Sequence, residues 1–543
     1  MRTGLISRVK LNLAEQRSNW RLFQTAKQVA YRARPKKQSP VAFFNASTRL
    51  SGMSLNAAFA FLAACGLQLA GVPVVYFACR SGMSRCVLGT DRDDFSQPPP
   101  CSACVAQSRR LFAHAPAFRF TYTEDPSLDL ALQGLDLEAL SAFELPLAGT
   151  SPYNQPIPLG RLVLPSLRWA LRMHHIPEDE ATRFLFRQYL LSARSLADEY
   201  ANFLDRVEPE AVVIFNGIMY PEAVARWIAG QRGVRAITHE VGFRPFSAFF
   251  TDGQATAYPI DIPADFELSD EQNARLDAYL ERRFQGEFSM AGIRFWPEMR
   301  GLGQAFLQRA SRFRQVVPVF TNVVYDTSQV HANTVFPHMF AWLDLVLEII
   351  QAHPDALFVI RAHPDEMRPG TAKQSRESVQ EWVARRQVDK LDNVVFIDSL
   401  EYISSYELIQ RSRFVMVYNS SIGLEAVLLR KPVLCGGQAR YTQYPIVFFP
   451  DSPEAYRCQA EGYLGQDEPL DAPADFYRNA RRFLYYQLFR TSLPFTEFLE
   501  AHPRPGYVQF RPFSWRQLAP GHSATIQAVV DGIVQGRPFL LEE

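Results

Sequence analysis

The sequence has almost no net charge. Its 57 lysine and arginine residues and its 56 aspartate and glutamate residues nearly cancel over 543 residues, which leaves a formal charge of +1. A protein that binds nucleic acid usually carries a basic surplus, because it neutralises phosphates along the polynucleotide. The balanced charge therefore predicts that nucleic acid is not a partner. A chain of this length has room for roughly two to four domains, each with its own core.

Cysteine is also sparse. The seven cysteines are an odd number, and no apolar core of a secretory signal follows the first charged residues, so we expect mostly reduced thiols. In the stretch "CVLGTDRDDFSQPPPCSAC", however, Cys101 and Cys104 have the two-residue gap that suits tetrahedral zinc, and Cys86 is a third candidate ligand. Cys79 or His114 could complete the set. Because no second paired motif is present, ordinary local thiols are the competing interpretation.

Only one long stretch without charge resembles a membrane span. It is "LNAAFAFLAACGLQLAGVPVVYFAC", from Leu55 to Cys79, and it is long enough to cross a bilayer. Gly71 and Pro73 divide it into a helix and a β-branched strand, which is the pattern of a buried helix-then-strand unit of a parallel sheet. We therefore predict a cytoplasmic protein that is soluble or peripheral on the inner membrane.

Charge is unevenly distributed at the start of the chain. Residues 1–40 contain ten basic residues and a single acid, Glu15. Apolar residues recur in this arm at helical spacing, with Trp20 beside them: Leu22, Phe23, Ala26, Val29 and Ala30. Two interpretations remain open, a basic amphipathic helix that lies on an anionic membrane surface and a helix docked on the protein body.

Strand-like and helical runs alternate in two successive series. This alternation predicts an α/β protein with two Rossmann-like, doubly wound parallel-sheet halves that face a cleft. The predicted divisions are a basic arm (1–40), a first Rossmann-like domain (41–262) with an irregular Cys- and Pro-rich insertion at about 82–165, a helical connector (263–314), a second Rossmann-like domain (315–475) and a helical C-terminal tail (476–543).

Polar residues follow the buried strands of the second series. "ALFVIRAHPDE" places Arg361, His363 and Glu366 at the mouth of a strand, where Pro364 ends the ladder. "FTNVVYDTS" similarly delivers Asn322 and Asp326 after the first strand of that half. Ligands of doubly wound sheets bind at the carboxyl ends of the strands, and arginine and histidine can neutralise or donate to a phosphate. A structural histidine is the alternative for His363 alone.

The stretch "FVMVYNSSIGLEAVLLRKPVLCGG" reads as a buried strand, a polar turn, a short helix and a second strand. A helix that begins just after a strand directs backbone N–H groups into the crevice at the strand end. Ser420 and Ser421 could add hydroxyl donors, Gly423 lets a ligand approach the backbone, and Glu425 lies within reach of a ribose. Simple helix capping is the alternative. The joint occurrence of the Arg-x-His-Pro and Ser-Ser-x-Gly-x-Glu motifs favours a nucleotide-sugar site.

These motifs resemble bacterial capsule polysaccharide biosynthesis proteins and related glycosyltransferases of the two-Rossmann (GT-B) fold. The resemblance is carried by "FTNVVYDT", "IRAHPDE", "SSYELI" and "YNSSIGLEAVLLRKPVLCGG", with a looser match at "FNG" and "THEVGF". An HP motif paired with a Ser-Ser motif is also similar to that of transferases that use cytidine-nucleotide donors. The resemblance implies that His363 touches the donor phosphate or cytidine, that Ser420 and Ser421 touch its phosphate, and that the first half receives a glycan or lipid-linked acceptor.

Such a transferase requires a base for the acceptor hydroxyl. "ITHEVGF" offers His239 and Glu240 directly after a strand, and Glu222 is a second candidate. A buried histidine and a helix-capping glutamate are the structural alternatives. Because no Asp-x-Asp stands in the second half, we expect a metal-independent enzyme without a cofactor. Two other functions fit the same motifs, a sugar-nucleotide 2-epimerase and a non-catalytic glycan-binding scaffold.

Overall fold

A computed structural model of the chain describes residues 2–45, 52–145, 155–286, 289–290, 293–294, 300–367, 374–468, 470–504 and 506–543. Numbered along the chain, the strands are β1 (Val41–Asn45), β2 (Val74–Cys79), β3 (Ala117–Phe120), β4 (Ala211–Phe215), β5 (Arg235–Val241), β6 (Ser247–Thr251), β7 (Ser289–Met290), β8 (Ile293–Arg294), β9 (Gln315–Phe320), β10 (Ala356–Arg361), β11 (Val394–Ile397), β12 (Val415–Val417), β13 (Val433–Cys435), β14 (Leu493–Pro494), β15 (Leu499–Ala501) and β16 (Val508–Phe510).

The α-helices are α1 (Arg2–Arg32), α2 (Leu55–Leu69), α3 (Cys101–Leu111), α4 (Pro126–Leu132), α5 (Leu137–Ser141), α6 (Leu159–Leu171), α7 (Glu180–Val207), α8 (Tyr220–Gln231), α9 (Asp270–Phe284), α10 (Gln304–Ala310), α11 (Gln329–Ala332), α12 (Met339–Ala352), α13 (Val379–Arg386), α14 (Ser405–Arg411), α15 (Ile422–Leu428), α16 (Pro453–Gly465), α17 (Ala474–Tyr485) and α18 (Ala524–Gln535). A π-helical turn, Tyr486–Arg490, continues α17.

Two sheets confirm the predicted α/β fold with two Rossmann-like halves. The first sheet has the order β14-β6-β5-β4-β1-β2-β3, in which β1 to β5 are parallel and β6 and β14 add an antiparallel edge. The second sheet is parallel throughout and has the order β11-β10-β9-β12-β13. In both sheets the second and third strands are added on one side of the first strand, and the fourth strand is then added on its other side. This reversal creates a crevice at the carboxyl ends of the strands, beside β1 and β4 in one half and beside β9 and β12 in the other.

The uncharged run from Leu55 to Cys79 is not a membrane span. It forms α2 and β2, and Gly71 between them has a φ of +86°, a left-handed conformation that glycine adopts without strain. Helix α2 is buried from Ala57 to Gln68 because nearly all of these residues are apolar, and the one polar side chain, that of Gln68, donates to the His114 carbonyl at 2.9 Å. No helix in the described part of the chain is both long and apolar enough to cross a bilayer.

The stretch 82–165 is more regular than its sequence predicts. Its described residues contain α3, α4, α5, the first part of α6 and the strand β3, which closes one edge of the first sheet. Residues 146–154 of this stretch lie outside the described ranges. The sequence did not predict these elements, because the four-residue strand "AFRF" and the helices of five and seven residues are too short to show a clear hydrophobic period.

The C-terminal tail returns to the first half instead of remaining helical throughout. After α17, Leu493 and Pro494 pair with Ala248 and Ser247 at the edge of the first sheet. Helix α18 then packs on α2, where Gly66 lets Ile526 come so close that an added Cβ would lie 2.7 Å from its Cγ2 atom. The tail therefore joins the second half back to the first.

Candidate functional site

A cavity of about 1230 Å³ lies between the two halves. Its lining comes from the carboxyl ends of β4, β5, β9, β10 and β12 and from the connector helix α9. Of the catalytic and donor-binding candidates from the sequence, those that line it are Glu222, Glu240, Asn322, Asp326, Arg361, His363, Ser420, Ser421 and Glu425. The cavity therefore joins the two crevices that the strand order creates.

Hydrogen bonds between asparagines hold the crevice of the second half together. Asn322, directly after β9, donates from Nδ2 to Oδ1 of Asn419, directly after β12, at 2.7 Å. Gln329 donates to the same oxygen at 3.2 Å. These contacts fix the two neighbouring strand ends against each other at the point where the strand order reverses. Asp326 lies nearby in the cavity wall and accepts from the Ser328 hydroxyl at 2.6 Å.

Arg361 provides a buried positive charge at this crevice. It is the last residue of β10, only 3% of it is exposed, and its Nη1 has no hydrogen-bond partner among the described residues. Burial lowers the pKa of the guanidinium to about 10, which still leaves it charged at neutral pH. An unpartnered charged donor that is buried and lines a cavity is costly unless an anion binds there.

His363 has a defined tautomer in its neutral form. Its Nδ1 accepts a hydrogen bond from the backbone N–H of Asp365 at 3.1 Å, so Nδ1 carries no proton. In the neutral ring, Nε2 then carries the proton, and His363 is one of the residues that line the cavity. His363 can therefore donate to a phosphate oxygen without becoming charged.

The serine turn differs from its sequence interpretation in one residue. Ser420 and Ser421 line the cavity, and the Ser421 side chain does not cap the following helix, α15. Gly423, in contrast, does not line the cavity. A Cβ at this position would lie 2.3 Å from Oη of Tyr441, which donates to the Ser420 carbonyl at 2.8 Å. The close approach that requires glycine here is that of Tyr441, and we assign Gly423 no ligand contact.

Two acidic residues of the second half, Glu366 and Glu425, form hydrogen bonds within the protein. Glu366 does not line the cavity. Its Oε1 accepts from the backbone N–H of Val379 at 2.8 Å, and burial raises the pKa of its carboxyl to about 8. Glu425 does line the cavity, but it accepts from Arg283 at 2.5 Å and from the Tyr406 hydroxyl at 2.6 Å. Glu425 thus holds the connector helix α9 to the second half.

Two carboxyl groups with raised pKa values line the first half of the cavity. Glu240, near the end of β5, accepts from Nδ2 of Asn216 at 2.7 Å and from the backbone N–H of Val241 at 2.8 Å. Burial nevertheless raises its pKa to about 7. Burial also raises the pKa of Glu222, in the first turn of α8, to about 8. Groups that titrate near neutral pH are suited to proton transfer.

His239 does not line the cavity. Its ring is fully buried beside Phe250 and Phe215, with centroid distances of 5.1 and 5.8 Å, and burial lowers its pKa to about 3. Because successive side chains of a strand point to opposite faces of the sheet, Glu240 reaches the cavity and its neighbour His239 does not. His239 is therefore not placed to act as a base in the cavity.

The cysteine motif does not form a ligand set in the described residues. Cys86 lines the cavity with a buried thiol whose pKa is raised to about 12 by desolvation, and Cys101 and Cys104 begin α3. Three groups can hold one metal ion when their ligand atoms all lie within 4.8 Å of one another, and the sulfur atoms of these three cysteines do not.

The sequence interpretation missed two residues of the cavity wall. Arg440 follows β13, stacks 4.3 Å from the centre of the Phe243 ring, and has an Nε without a hydrogen-bond partner in the described regions. Asn216, which positions Glu240, has a φ of +62°. The "FNG" sequence after β4 was a signal for Asn216, since asparagine tolerates this conformation in turns. No motif marked Arg440.

Comparison with known proteins agrees with the motif resemblance. Residues 298–446 match the family model described as capsule polysaccharide biosynthesis protein, a match that spans about a quarter of the chain and contains every second-half motif quoted above. The expected resemblance to this family is thus confirmed over that segment. A search of curated protein sequences finds no match for the chain.

Several solved structures share parts of the fold. The beta Kdo 2,4 transferase KpsC of Thermosulfurimonas dismutans is 13% identical over 56% of this chain and 84% of that chain, with a TM-score of 0.36. The UDP-GlcNAc 2-epimerase of Neisseria meningitidis, bound to UDP-GlcNAc, is 12% identical over 83% and 99% of the two chains, with a TM-score of 0.23. At these scores neither likeness defines a substrate or reaction for this chain.

The raised pKa of the Glu366 carboxyl can be tested through the pH dependence of the melting temperature. Because its pKa is raised from 4.5 to about 8, the native state holds a proton that the unfolded state releases, so Glu366 lowers stability as the pH rises from about 4.5 through 8. Glu366→Gln, which has no proton to lose, should gain in melting temperature relative to the wild type between pH 5.5 and 8.5. The exposed Glu461→Gln is the matched control. Parallel melting curves for Glu366→Gln and wild type at all pH values would contradict this assignment.

Proposed function

We propose that this protein is a metal-independent GT-B glycosyltransferase that transfers a sugar from a nucleotide-activated donor, with a CMP-sugar favoured, to a growing capsular polysaccharide or lipid-linked glycan. The observation that carries the proposal is the shared cavity. One wall holds the buried guanidinium of Arg361, whose Nη1 has no hydrogen-bond partner among the described residues, and the opposite half contributes the Glu240 carboxyl with a pKa of about 7. An anion-binding wall that faces a proton acceptor is what displacement of a nucleotide by a hydroxyl requires.

The donor wall would bind the nucleotide phosphates. Arg361 supplies a fixed positive charge, Nε2–H of His363 supplies a neutral donor, and the hydroxyls of Ser420 and Ser421 complete the polar surface. Arg440 adds a second guanidinium on the same side. As the bond between the anomeric carbon and the phosphate oxygen breaks, these groups would stabilise the charge that develops on the leaving nucleotide. They can take the part that a divalent metal ion plays elsewhere.

The acceptor wall would activate the attacking hydroxyl. Ionised Glu240 would take the proton of the acceptor hydroxyl as its oxygen attacks the anomeric carbon. Asn216 holds one carboxylate oxygen, and the backbone of Val241 holds the other, so the group is oriented before the substrate arrives. Glu222 is the second candidate, and its higher pKa leaves less of it ionised at neutral pH.

Two other functions are compatible with parts of this arrangement. A sugar-nucleotide 2-epimerase would use the donor wall without an acceptor, and a glycan-binding scaffold would use the cavity without chemistry. The size of the cavity, about 1230 Å³, and the contribution of both halves favour two substrates over one small closed site.

Nucleotide binding should depend on the donor wall. Among CMP, CDP, UDP, GDP and ADP, we expect a cytidine nucleotide to raise the melting temperature most, because a ligand that binds only the folded state stabilises it. Arg361→Met and His363→Ala should each weaken binding about 10- to 100-fold, the loss expected for one charge-assisted hydrogen bond. Arg385→Met, on the exposed surface of α13, should bind like the wild type. Binding of no nucleotide, or equal binding by all variants, would contradict the proposed donor site.

Glu240→Gln should remove general-base catalysis without weakening donor binding. We expect kcat to fall by about 10²- to 10⁴-fold while the nucleotide Kd is unchanged. In the wild type, kcat/KM should rise as the pH increases through about 7, since the base is active only when ionised. The residual activity of Glu240→Gln should lack this rise. If Glu222→Gln shows these effects and Glu240→Gln does not, Glu222 is the base.

Helix α1 supports a peripheral membrane contact as part of the proposal. It buries Leu22 and Val29 against the protein body, as the docked interpretation predicts. Its opposite face exposes Trp20 and Tyr31, with Phe23 beside them, at 63%, 75% and 51%. The exposed Arg17 and Lys27 accompany these rings. Exposed aromatic residues between cations are suited to the interface of an anionic bilayer, so one face of the helix docks and the other would contact lipid.

Vesicle binding tests this contact. We expect the full chain to cosediment with phosphatidylglycerol vesicles at low salt, and the triple variant Trp20→Ala, Phe23→Ala, Tyr31→Ala to lose at least about tenfold in partitioning, because burial of three aromatic side chains exceeds 1.4 kcal/mol. Leu400→Ala, a similarly exposed apolar residue on the second half, is the control. Equal vesicle binding by the triple variant would contradict the membrane role of α1.

A further inference from the structure

Three histidines meet at a second contact between the two halves, outside the cavity lining. His174 and His175 follow α6 in the first half, and His338 caps the start of α12 in the second. The ring centroids of the three lie 4.5 to 5.0 Å apart, and one ring nitrogen of each lies within 4.8 Å of the others. None of the three lines the proposed transfer site.

The spacing of the nitrogens fits a tetrahedral metal ion. Nε2 of His175 and Nε2 of His338 are 3.4 Å apart. Two nitrogens bound to zinc at about 2.0–2.1 Å, with a tetrahedral angle between them, are separated by about 3.4 Å. A direct hydrogen bond between the two rings explains the same distance, so the spacing permits a metal and requires a second observation.

Glu377 provides that observation. Its Oε1 accepts from Nδ1 of His175 at 2.5 Å, and its Oε2 accepts from the backbone N–H groups of His174 and His175 at 2.8 and 3.0 Å. A carboxylate on Nδ1 is one of the partners that orient zinc-bound histidines, because it fixes the proton there and presents an unprotonated Nε2 to the metal. Because the Glu377 carboxylate already accepts these three hydrogen bonds, we assign it no bond to the metal, and water would be the fourth ligand.

We propose that His174, His175 and His338 bind one divalent transition-metal ion of the zinc type, which holds the two halves together. Imidazole ligands suit this class of ion, while the harder magnesium and calcium ions prefer oxygen. Binding at Nε2 of His338 moves its proton to Nδ1, which now accepts from the N–H of Ala341 at 3.1 Å. The ion therefore replaces one helix-capping hydrogen bond with a bond between the halves.

Other hydrogen bonds and an ion pair join the two halves beside the three histidines. The Arg172 carbonyl accepts from the backbone N–H of Arg376 at 2.9 Å and from Oγ of Ser375 at 3.2 Å. Arg376 also forms an ion pair with Asp93 at 2.9 Å. All of these bonds join residues of the first half to the segment 375–377 of the second. The ion acts as a structural clasp beside this segment, independent of the transfer reaction at the cavity.

The test is zinc binding by the full-length chain after treatment with a chelator. Native mass spectrometry and competition with a chromophoric chelator should give one Zn²⁺ per chain. His175→Ala, whose side chain is about half exposed and should fold normally, should weaken binding at least 100-fold. Glu377→Gln should weaken it 10- to 100-fold, as expected for the loss of an orienting partner. His522→Ala, an exposed histidine far along the chain, should bind like the wild type.

A second measurement separates the histidine cluster from the cysteines. Co²⁺ bound by three imidazoles and a water gives a four-coordinate visible spectrum without the near-ultraviolet charge-transfer band of a cobalt–thiolate bond. A thiolate band, an affinity unchanged in His175→Ala, or no stoichiometric zinc would each overturn the proposal. Zinc should also raise the melting temperature of the wild type and of His522→Ala, and leave that of His175→Ala unchanged.

Discussion

The reversal of strand order in two parallel sheets is the constraint on which the candidate site depends. In the second half, β9 is followed on one side by β10 and β11 and on the other by β12 and β13, so the connections leave the strand ends beside β9 in opposite directions. Asn322 and Asn419, directly after β9 and β12, join the strand ends at this point with a side-chain hydrogen bond. The same reversal occurs at β1 and β4. Because the two gaps open into one cavity, residues far apart in sequence become neighbours around a single ligand space.

Burial then gives the two walls of this space their different chemistry. A guanidinium remains charged even when burial lowers its pKa to about 10, so Arg361 keeps its positive charge. A carboxyl in the same conditions approaches neutrality, and Glu240 and Glu222 titrate near pH 7 and 8. Under the proposed function, desolvation thus suits one wall to binding an anion and the other to accepting a proton. The tail connects the second half to the first through β14 and α18, and the rings of His175 and His338 are in contact between the two halves.

The sequence was most informative where buried strands end in polar residues. The alternation of strands and helices was enough to predict both halves, and the Arg-x-His-Pro and Ser-Ser motifs pointed to residues that line the cavity. Details that depend on side-chain direction were not accessible: His239 and Glu240 are adjacent in sequence but face opposite sides of β5. Glu366 lies inside a motif, but its carboxylate accepts from the backbone N–H of Val379. Gly423 also lies inside a motif, but its lack of a side chain makes room for the Tyr441 hydroxyl. Arg440 carried no sequence signal, since only the fold places it on the ring of Phe243.

Acceptor-dependent release of a nucleotide is the measurement that tests the central claim most directly. The purified chain would be incubated with CMP-, UDP- and GDP-sugars, with and without the lipid-linked glycan fraction of the organism's own envelope, and the products followed by liquid chromatography and mass spectrometry. The account predicts that one donor releases free nucleotide only when the glycan is present, with one sugar added to the glycan for each nucleotide released. A sugar inverted at C2 while still attached to its nucleotide, formed without glycan, would contradict a transferase, and so would the absence of turnover with every donor.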